Sequence, residues 1–285
     1  MVKFFGLKEE IEKLAKEVHY DIKKMYARFN EFSRRREELT PDTFRRYCRD
    51  EILKTKKNYQ YVSKRSENVI GVFGDTHIPF EKKGYLEFLI KTFDSAGVTE
   101  VVSVGDLIDN YVFSRFPKNP GAMNAKDEIE QAKKALKPLI EAFPVMKICK
   151  GNHDSRLEKL AESVGLPIEV LAQNHLDFPD TWVIEDEFII DDVYYCHGTN
   201  ISGINSSVNL AKDMGMSAVM GHLHMQGGVR YFKTPNKLMF GANAGALCDE
   251  SAYAFHYSKD NRKKTVLGCV IVVSSTEAHF IPWNE

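Results

Sequence analysis

The 285-residue chain lacks the features of a membrane protein or of a disulfide-stabilised one. It contains no apolar run near the roughly 18 residues that a membrane span needs. Charges follow too soon in the opening MVKFFGLKEEIEK for a signal peptide. The five cysteines are odd in number and show no C-x-x-C spacing, which favours a reducing compartment. We therefore expect a cytoplasmic protein with one large core and an appendage.

Net charge is also small, at −1, but it hides a division within the chain. Residues 1–66 contain 18 Lys or Arg against 11 Asp or Glu, whereas residues 67–285 contain 21 against 29. This asymmetry predicts a basic appendage on an acidic remainder. Apolar residues recur every three or four positions from Leu7 to Phe32, which predicts a helical appendage.

The basic helical extension, residues 1–66, has two interpretations. Thr40-Pro41-Asp42 is typical of a helix start, and arginines crowd the junction just before and after it. A short helix after a turn resembles a helix-turn-helix unit, which would contact DNA or RNA. The alternative is a helical bundle that packs on the rest of the chain or joins two copies into a homo-oligomer. The long unbroken apolar stripe favours this alternative.

Five short polar blocks follow apolar runs along the remainder of the chain. They read GDTH (74–77), GDLID (105–109), GNHD (151–154), HG (197–198) and GHLH (221–224). Glycine precedes the polar residues in four of them, where the chain must turn sharply at a strand end. In open α/β sheets, ligands bind beyond the carboxyl ends of the strands. The blocks supply seven nitrogen and oxygen ligands: Asp75, His77, Asp106, Asn152, His197, His222 and His224.

Seven ligands are too many for one catalytic ion, which usually takes about three and keeps one position open. They suit two divalent ions that share a carboxylate, and Asp106 is the obvious bridge. His153 is then left as a spare imidazole for proton transfer. The ligand types suit Mn²⁺ first, with Fe²⁺, Zn²⁺ and Ni²⁺ as alternatives.

The order and spelling of the blocks resemble the calcineurin-like metallophosphoesterase superfamily over roughly residues 68–283. This resemblance implies an α/β fold for residues 67–285, a four-layer α/β/β/α sandwich preceded by the small helical segment. It also implies that His153 protonates the leaving oxygen while Asp154 orients its ring. The first ion would be held by Asp75, His77, Asp106 and His224, and the second by Asp106, Asn152, His197 and His222.

Two further residues are candidates for substrate contact. Arg156 could clamp a phosphate with its planar fork, and the alternative is an ion-paired arginine at a helix start. Asn110 follows the bridging block and is the second candidate.

The sequence thus supports a hydrolase in which a metal-bound hydroxide attacks phosphorus. Its leading substrate is a phosphodiester in a nucleotide or nucleic acid, because a basic appendage would concentrate a polyanion. The alternative is a phosphomonoesterase acting on nucleotides or small metabolites. An alternative of another class is a nucleic-acid-binding or scaffolding protein with a vestigial metal site.

The apolar pattern also predicts the elements that carry the blocks. VIGVF, EVVSV and VMKIC predict buried parallel strands with helices between them, one of these over 125–142. WVIED, EFIID and VYYC predict short hairpin-type strands, followed by a helix near 206–214. Closing strands near 228–232, 237–240 and 265–274 predict a second sheet.

Overall fold

The computed structural model describes Lys13 and residues 68–167, 176–258 and 264–284. Apart from Lys13, the predicted extension lies outside the described residues, so its helices and its partners stay predictions. Within the described residues the chain forms two β-sheets and four α-helices. The helices are α1 (Tyr85–Ala96), α2 (Ala125–Ala142), α3 (Arg156–Ser163) and α4 (Ser206–Met214). None of these described helices is long and apolar enough to cross a membrane.

The first sheet has six strands: β1 (Ile70–Phe73), β2 (Glu100–Ser103), β3 (Met146–Cys149), β4 (Trp182–Glu185), β10 (Gly268–Ser274) and β11 (Glu277–Pro282). Their order in the sheet is β11-β10-β1-β2-β3-β4. Neighbouring strands from β1 to β4 are parallel, whereas β10 and β11 join antiparallel at the β1 side. The parallel strands carry the first three polar blocks at their carboxyl ends.

The second sheet has five strands: β5 (Glu187–Ile190), β6 (Val193–Cys196), β7 (Ser217–Met220), β8 (Gly227–Lys233) and β9 (Leu238–Ala244). Their order in the sheet is β5-β6-β7-β9-β8. The central pairs, β6 with β7 and β7 with β9, are parallel. Strands β6 and β7 lead directly into the last two polar blocks.

Three apolar clusters confirm the predicted four layers. One lies between the sheets and joins residues such as Val72 and Val102 to Tyr195 and Phe240. A second packs α1 and α2 on the outer face of the first sheet. The third packs α4 on the outer face of the second sheet through Leu210 and Ala211. The layers are therefore helices, sheet, sheet and helix.

The sheet assignment of two segments differs from the prediction. Trp182–Glu185 was expected in a hairpin, but it pairs parallel with β3 in the first sheet; of the three segments predicted to be of hairpin type, β5 and β6 pair antiparallel with each other. Gly268–Ser274 was expected in the second sheet, but it pairs antiparallel with β1. Both segments are short and apolar, and such a pattern does not encode which sheet a strand joins.

A close helix-to-sheet contact at Gly241 gives a stability test. A Cβ added there would lie 2.3 Å from both the carbonyl carbon and the carbonyl oxygen of Ser207, in the first turn of α4. Because backbone atoms cannot rotate away, Gly241→Ala should lower the free energy of unfolding by about 3 kcal/mol in urea denaturation. Gly121→Ala is the matched control, since its nearest neighbour would be 3.5 Å away. Equal effects of the two substitutions would contradict this packing.

Candidate metal centre

All seven predicted ligands lie at one edge of the two sheets. Three of the blocks follow the parallel strands β1, β2 and β3, and the other two follow β6 and β7. Several ligands have left-handed backbone conformations that non-glycine residues rarely adopt: φ is 51° at Asp75, 53° at His77, 49° at Asp106 and 70° at His222. Such strain persists only where the surrounding structure imposes it, and it is common at functional sites. The turns thus aim the side chains inward.

The first candidate metal position lies between three side chains. His224 Nε2 is 3.1 Å from Asp75 Oδ1 and 3.1 Å from His77 Nε2. His77 Nε2 also lies 4.0 Å from Asp75 Oδ1, so three potential ligand atoms lie close together. Ligand atoms about 3 Å apart are what a shared ion at roughly 2.1 Å from each would produce. The residues present therefore fit a divalent cation.

The second candidate position is built around His197. Its Nε2 lies 3.1 Å from Asp106 Oδ2, 3.2 Å from Asn152 Oδ1 and 3.2 Å from His222 Nδ1. Four nitrogen and oxygen atoms thus lie close together with ligand-like spacing.

Asp106 links the two positions through a single oxygen. Its Oδ2 is 3.1 Å from His197 Nε2 and 3.8 Å from His77 Nε2. Its Oδ1 instead accepts a hydrogen bond of 2.8 Å from the backbone N–H of His153. The carboxylate therefore faces both metal positions and also fixes the block that carries the candidate acid.

Two of the ligand histidines donate their second ring N–H to oxygen acceptors. His77 Nδ1 lies 2.8 Å from Asp109 Oδ1, and His197 Nδ1 lies 2.9 Å from the carbonyl oxygen of Val104. These bonds set the tautomer that leaves Nε2 free for a metal ion. The ring of Phe255 packs edge-on against His77, with centroids 5.1 Å apart.

His153 stands beside the first metal position, with its ring centroid 4.4 Å from that of His77. Its Nδ1 lies 2.9 Å from Asp109 Oδ1. Its Nε2 lies 3.9 Å from Asp106 Oδ2, facing the space where both positions meet. The imidazole is therefore oriented by a buried carboxylate on one side and presented to the site on the other.

The structure does not place Asp154 beside the His153 ring, where its predicted orienting role would need it, and Asp109 lies there instead. The Asp154 carboxylate accepts from the backbone N–H groups of Ile108, at 3.0 Å, and Gly151, at 2.8 Å. It therefore fixes the turn and does not contact the His153 ring. Burial raises the pKa of Asp154 to about 6.

Asp109 was missed although it closes the GDLID block. Burial alone would raise its pKa, but hydrogen bonds from His153 and His77 lower it well below its usual range. The Asp109 carboxylate is therefore charged, and it accepts a hydrogen bond from each of the two imidazoles. Its position three residues after the bridging aspartate was the only signal in the sequence.

The two candidate substrate contacts are both engaged with protein atoms. Arg156 Nη1 donates to the carbonyl oxygen of Asp109 at 2.8 Å and lies 3.2 Å from Asp109 Oδ2, while Nη2 lies 3.1 Å from His153 Nε2. Arg156 is therefore ion-paired at the start of α3, as the alternative interpretation of this residue predicts. Asn110 Nδ2 donates to the backbone oxygen of His153 at 3.2 Å. Their contact with substrate stays a prediction.

The cysteines before the third and fourth blocks are buried thiols. Burial raises the pKa of Cys149 well above its ordinary value and that of Cys196 to about 12. Both thiols are therefore protonated at neutral pH, which disfavours thiolate ligation. The described ligand set consists of nitrogen and oxygen atoms.

One family model and several known proteins are similar to this chain. The family model of the calcineurin-like phosphoesterases matches residues 69–245. The chain is 30% identical over 198 residues to the gene 54 protein of Mycobacterium phage L5, covering 62% of this chain and 75% of that protein. It is 31% identical over 178 residues to the gene 54 protein of Mycobacterium phage D29, covering 55% and 69%.

A metallophosphoesterase structure from Sphaerobacter thermophilus is also similar, at 14% identity and a TM-score of 0.41, over 76% of this chain and 88% of that one. The fold and the site define a protein with a candidate metal centre at the carboxyl edge of a two-sheet sandwich. The chain belongs to the calcineurin-like phosphoesterase family, as the family match shows.

Proposed function

We propose that the protein hydrolyses a phosphodiester in a nucleotide or nucleic acid, with two divalent ions, Mn²⁺ first among them. The observation that carries the proposal is the convergence of two ligand groups on Asp106 Oδ2 with His153 beside them. When bound, two ions would stabilise the charge of a phosphate and acidify a water molecule. The basic character of residues 1–66 supports a polyanionic substrate.

The protein side chains supply the proton for the leaving oxygen. Asp109 holds the Nδ1–H of His153, so the Nε2 atom of that ring faces the site. A proton on Nε2 would pass to the departing alkoxide as the bond to phosphorus breaks. Arg156 Nη2 now lies 3.1 Å from the same nitrogen. Protonation of Nε2 would release that guanidinium N–H, which could then bind a phosphate oxygen.

The test compares two substrates that share one nucleoside. With Mn²⁺, the wild-type chain should hydrolyse the diester thymidylyl-thymidine faster than the monoester thymidine 5′-phosphate. Hydrolysis of the monoester alone would replace the diester proposal with the phosphomonoesterase alternative. Hydrolysis of neither substrate, with Mn²⁺ bound, would favour a binding or scaffolding protein.

His153→Ala should slow cleavage of the dinucleotide by roughly 10²-fold to 10⁴-fold, because its alkoxide leaving group needs a proton. Cleavage of bis(p-nitrophenyl) phosphate should fall much less, since p-nitrophenolate leaves without one. His279→Ala is the matched control, because His279 is an exposed histidine on β11 that pairs with Glu277. An equal loss on both substrates would refute the acid role of His153.

A further inference from the structure

The ligand histidine His224 has a sulfur atom beside its Nδ1, where His77 and His197 have an oxygen atom. Its Nδ1 lies 3.7 Å from Cys248 Sγ, within reach of a hydrogen bond to sulfur. Its Nε2 points the opposite way, 3.1 Å from Asp75 Oδ1 at the first metal position. The ring is thus held between a carboxylate ligand and a buried thiol.

Backbone hydrogen bonds fix the position of segment 246–249, which carries this thiol. Leu247 N–H donates to the backbone oxygen of Asp75 at 3.0 Å, and Asp249 N–H donates to that of Phe80 at 2.8 Å. Cys248 also forms an isolated antiparallel bridge with Glu81. The segment that carries the thiol is therefore bonded to the segment that begins with a ligand of the first metal position.

The side chain of Cys248 is buried among mostly apolar neighbours. Cys248 is 1% exposed and packs in a cluster with Phe80, Ala254 and Phe255. The backbone of His224 is fixed separately, because its carbonyl oxygen accepts from Val266 N–H at 2.8 Å. With the main chain held, the remaining freedom of the histidine is rotation of its ring. The contact with sulfur limits that rotation.

We propose that Cys248 is a positioning residue: its sulfur accepts the Nδ1–H of His224 and so presents Nε2 to the first metal position. An acceptor at Nδ1 selects the tautomer and the ring orientation of a metal-binding imidazole, and sulfur can act as a weak acceptor of this kind. The inference rests on the metal centre of the proposed function and not on its substrate.

Mn²⁺ titration of the full chain tests this role without any catalytic readout. Cys248→Ala removes the acceptor and should weaken one of the two Mn²⁺ binding steps by about tenfold or more. Cys248→Ser keeps an acceptor in place and should recover most of that loss. Cys269→Ala is the matched control, since Cys269 is an equally buried thiol in β10 outside the site. It should leave both steps unchanged.

Ring ¹⁵N spectra of the Zn²⁺-loaded chain give a second readout. In the wild type and in Cys248→Ser, the His224 Nδ1–H signal should persist because its proton is hydrogen-bonded and buried. In Cys248→Ala it should exchange with water faster, while the corresponding signal of His197 stays unchanged, because the carbonyl of Val104 still accepts it.

Two results would overturn the inference. Equal Mn²⁺ affinities of Cys248→Ala and Cys269→Ala would show that the thiol does not act on the centre. A Cys248→Ser variant as weak as Cys248→Ala would assign the effect to side-chain volume. If the wild type binds Mn²⁺ but hydrolyses no phosphoester, only the proposed function fails. If it binds no Mn²⁺, the metal centre and this inference fail together.

Discussion

Asp106→Asn should reduce phosphoester hydrolysis by on the order of a thousandfold, because it removes charge at the point where both metal positions meet. Asp106 Oδ2 faces His197 Nε2 at 3.1 Å and His77 Nε2 at 3.8 Å. The amide is nearly isosteric, so it changes charge and bonding while volume is kept. The steady-state rate of hydrolysis and the number of Mn²⁺ ions bound per chain should both decrease.

The matched control for this substitution is Asp213→Asn, the same chemical change at an exposed position in α4. It should leave both kinetics and Mn²⁺ binding at wild-type values. A wild-type rate in Asp106→Asn with both ions bound would show that the shared carboxylate is not needed. Loss of rate with unchanged ion binding would place its role in fixing the His153 block, through Oδ1.

Asp109→Asn should also slow hydrolysis strongly. The carboxylate accepts from Nδ1 of both His153 and His77, and it also pairs with Arg156. An amide keeps one acceptor but brings two N–H donors into a site of imidazole and guanidinium donors. Cleavage of the dinucleotide should therefore fall by about 10²-fold to 10⁴-fold, as when the aspartate of a His-Asp pair is replaced.

Two measurements separate the roles of Asp109. The loss should be larger for thymidylyl-thymidine than for bis(p-nitrophenyl) phosphate if orientation of the acid dominates. Weaker Mn²⁺ binding, by roughly 10-fold to 100-fold, would report its effect through His77. Asp154→Asn serves as comparison, because its carboxylate contacts backbone N–H groups and no histidine ring. Equal leaving-group dependence in both variants would contradict the assignment to Asp109.

Much of the fold could be predicted because the local pattern determines it. Apolar runs such as 69–73 and 145–149 became the buried strands β1 and β3, and the predicted helix over 125–142 has those same bounds. Which sheet a strand joins depends on partners far away in sequence, and β10 shows this, since it pairs with β1 about 200 residues earlier. A strand pattern carries no information about such a partner.

The same limit applies within the site. The ligand blocks were recognisable because glycine turns and metal-ligand residues occur together at strand ends. The choice between Asp109 and Asp154 was not, because both are aspartates in such blocks and only the folded turn directs one to backbone N–H groups and the other to imidazoles. The contact of Cys248 with His224 likewise arises only from folding, because the two residues are 24 positions apart in the chain.

The ligands of each metal position come from both sheets. Asp75 and His77 follow β1, whereas His224 follows β7; likewise Asn152 follows β3, whereas His197 follows β6. An ion bound at either position would therefore cross-link the two halves of the sandwich at its carboxyl edge. Sliding of one sheet over the other would separate the ligands. Metal binding would therefore stabilise one alignment of the two sheets, and a change in that alignment would weaken metal binding.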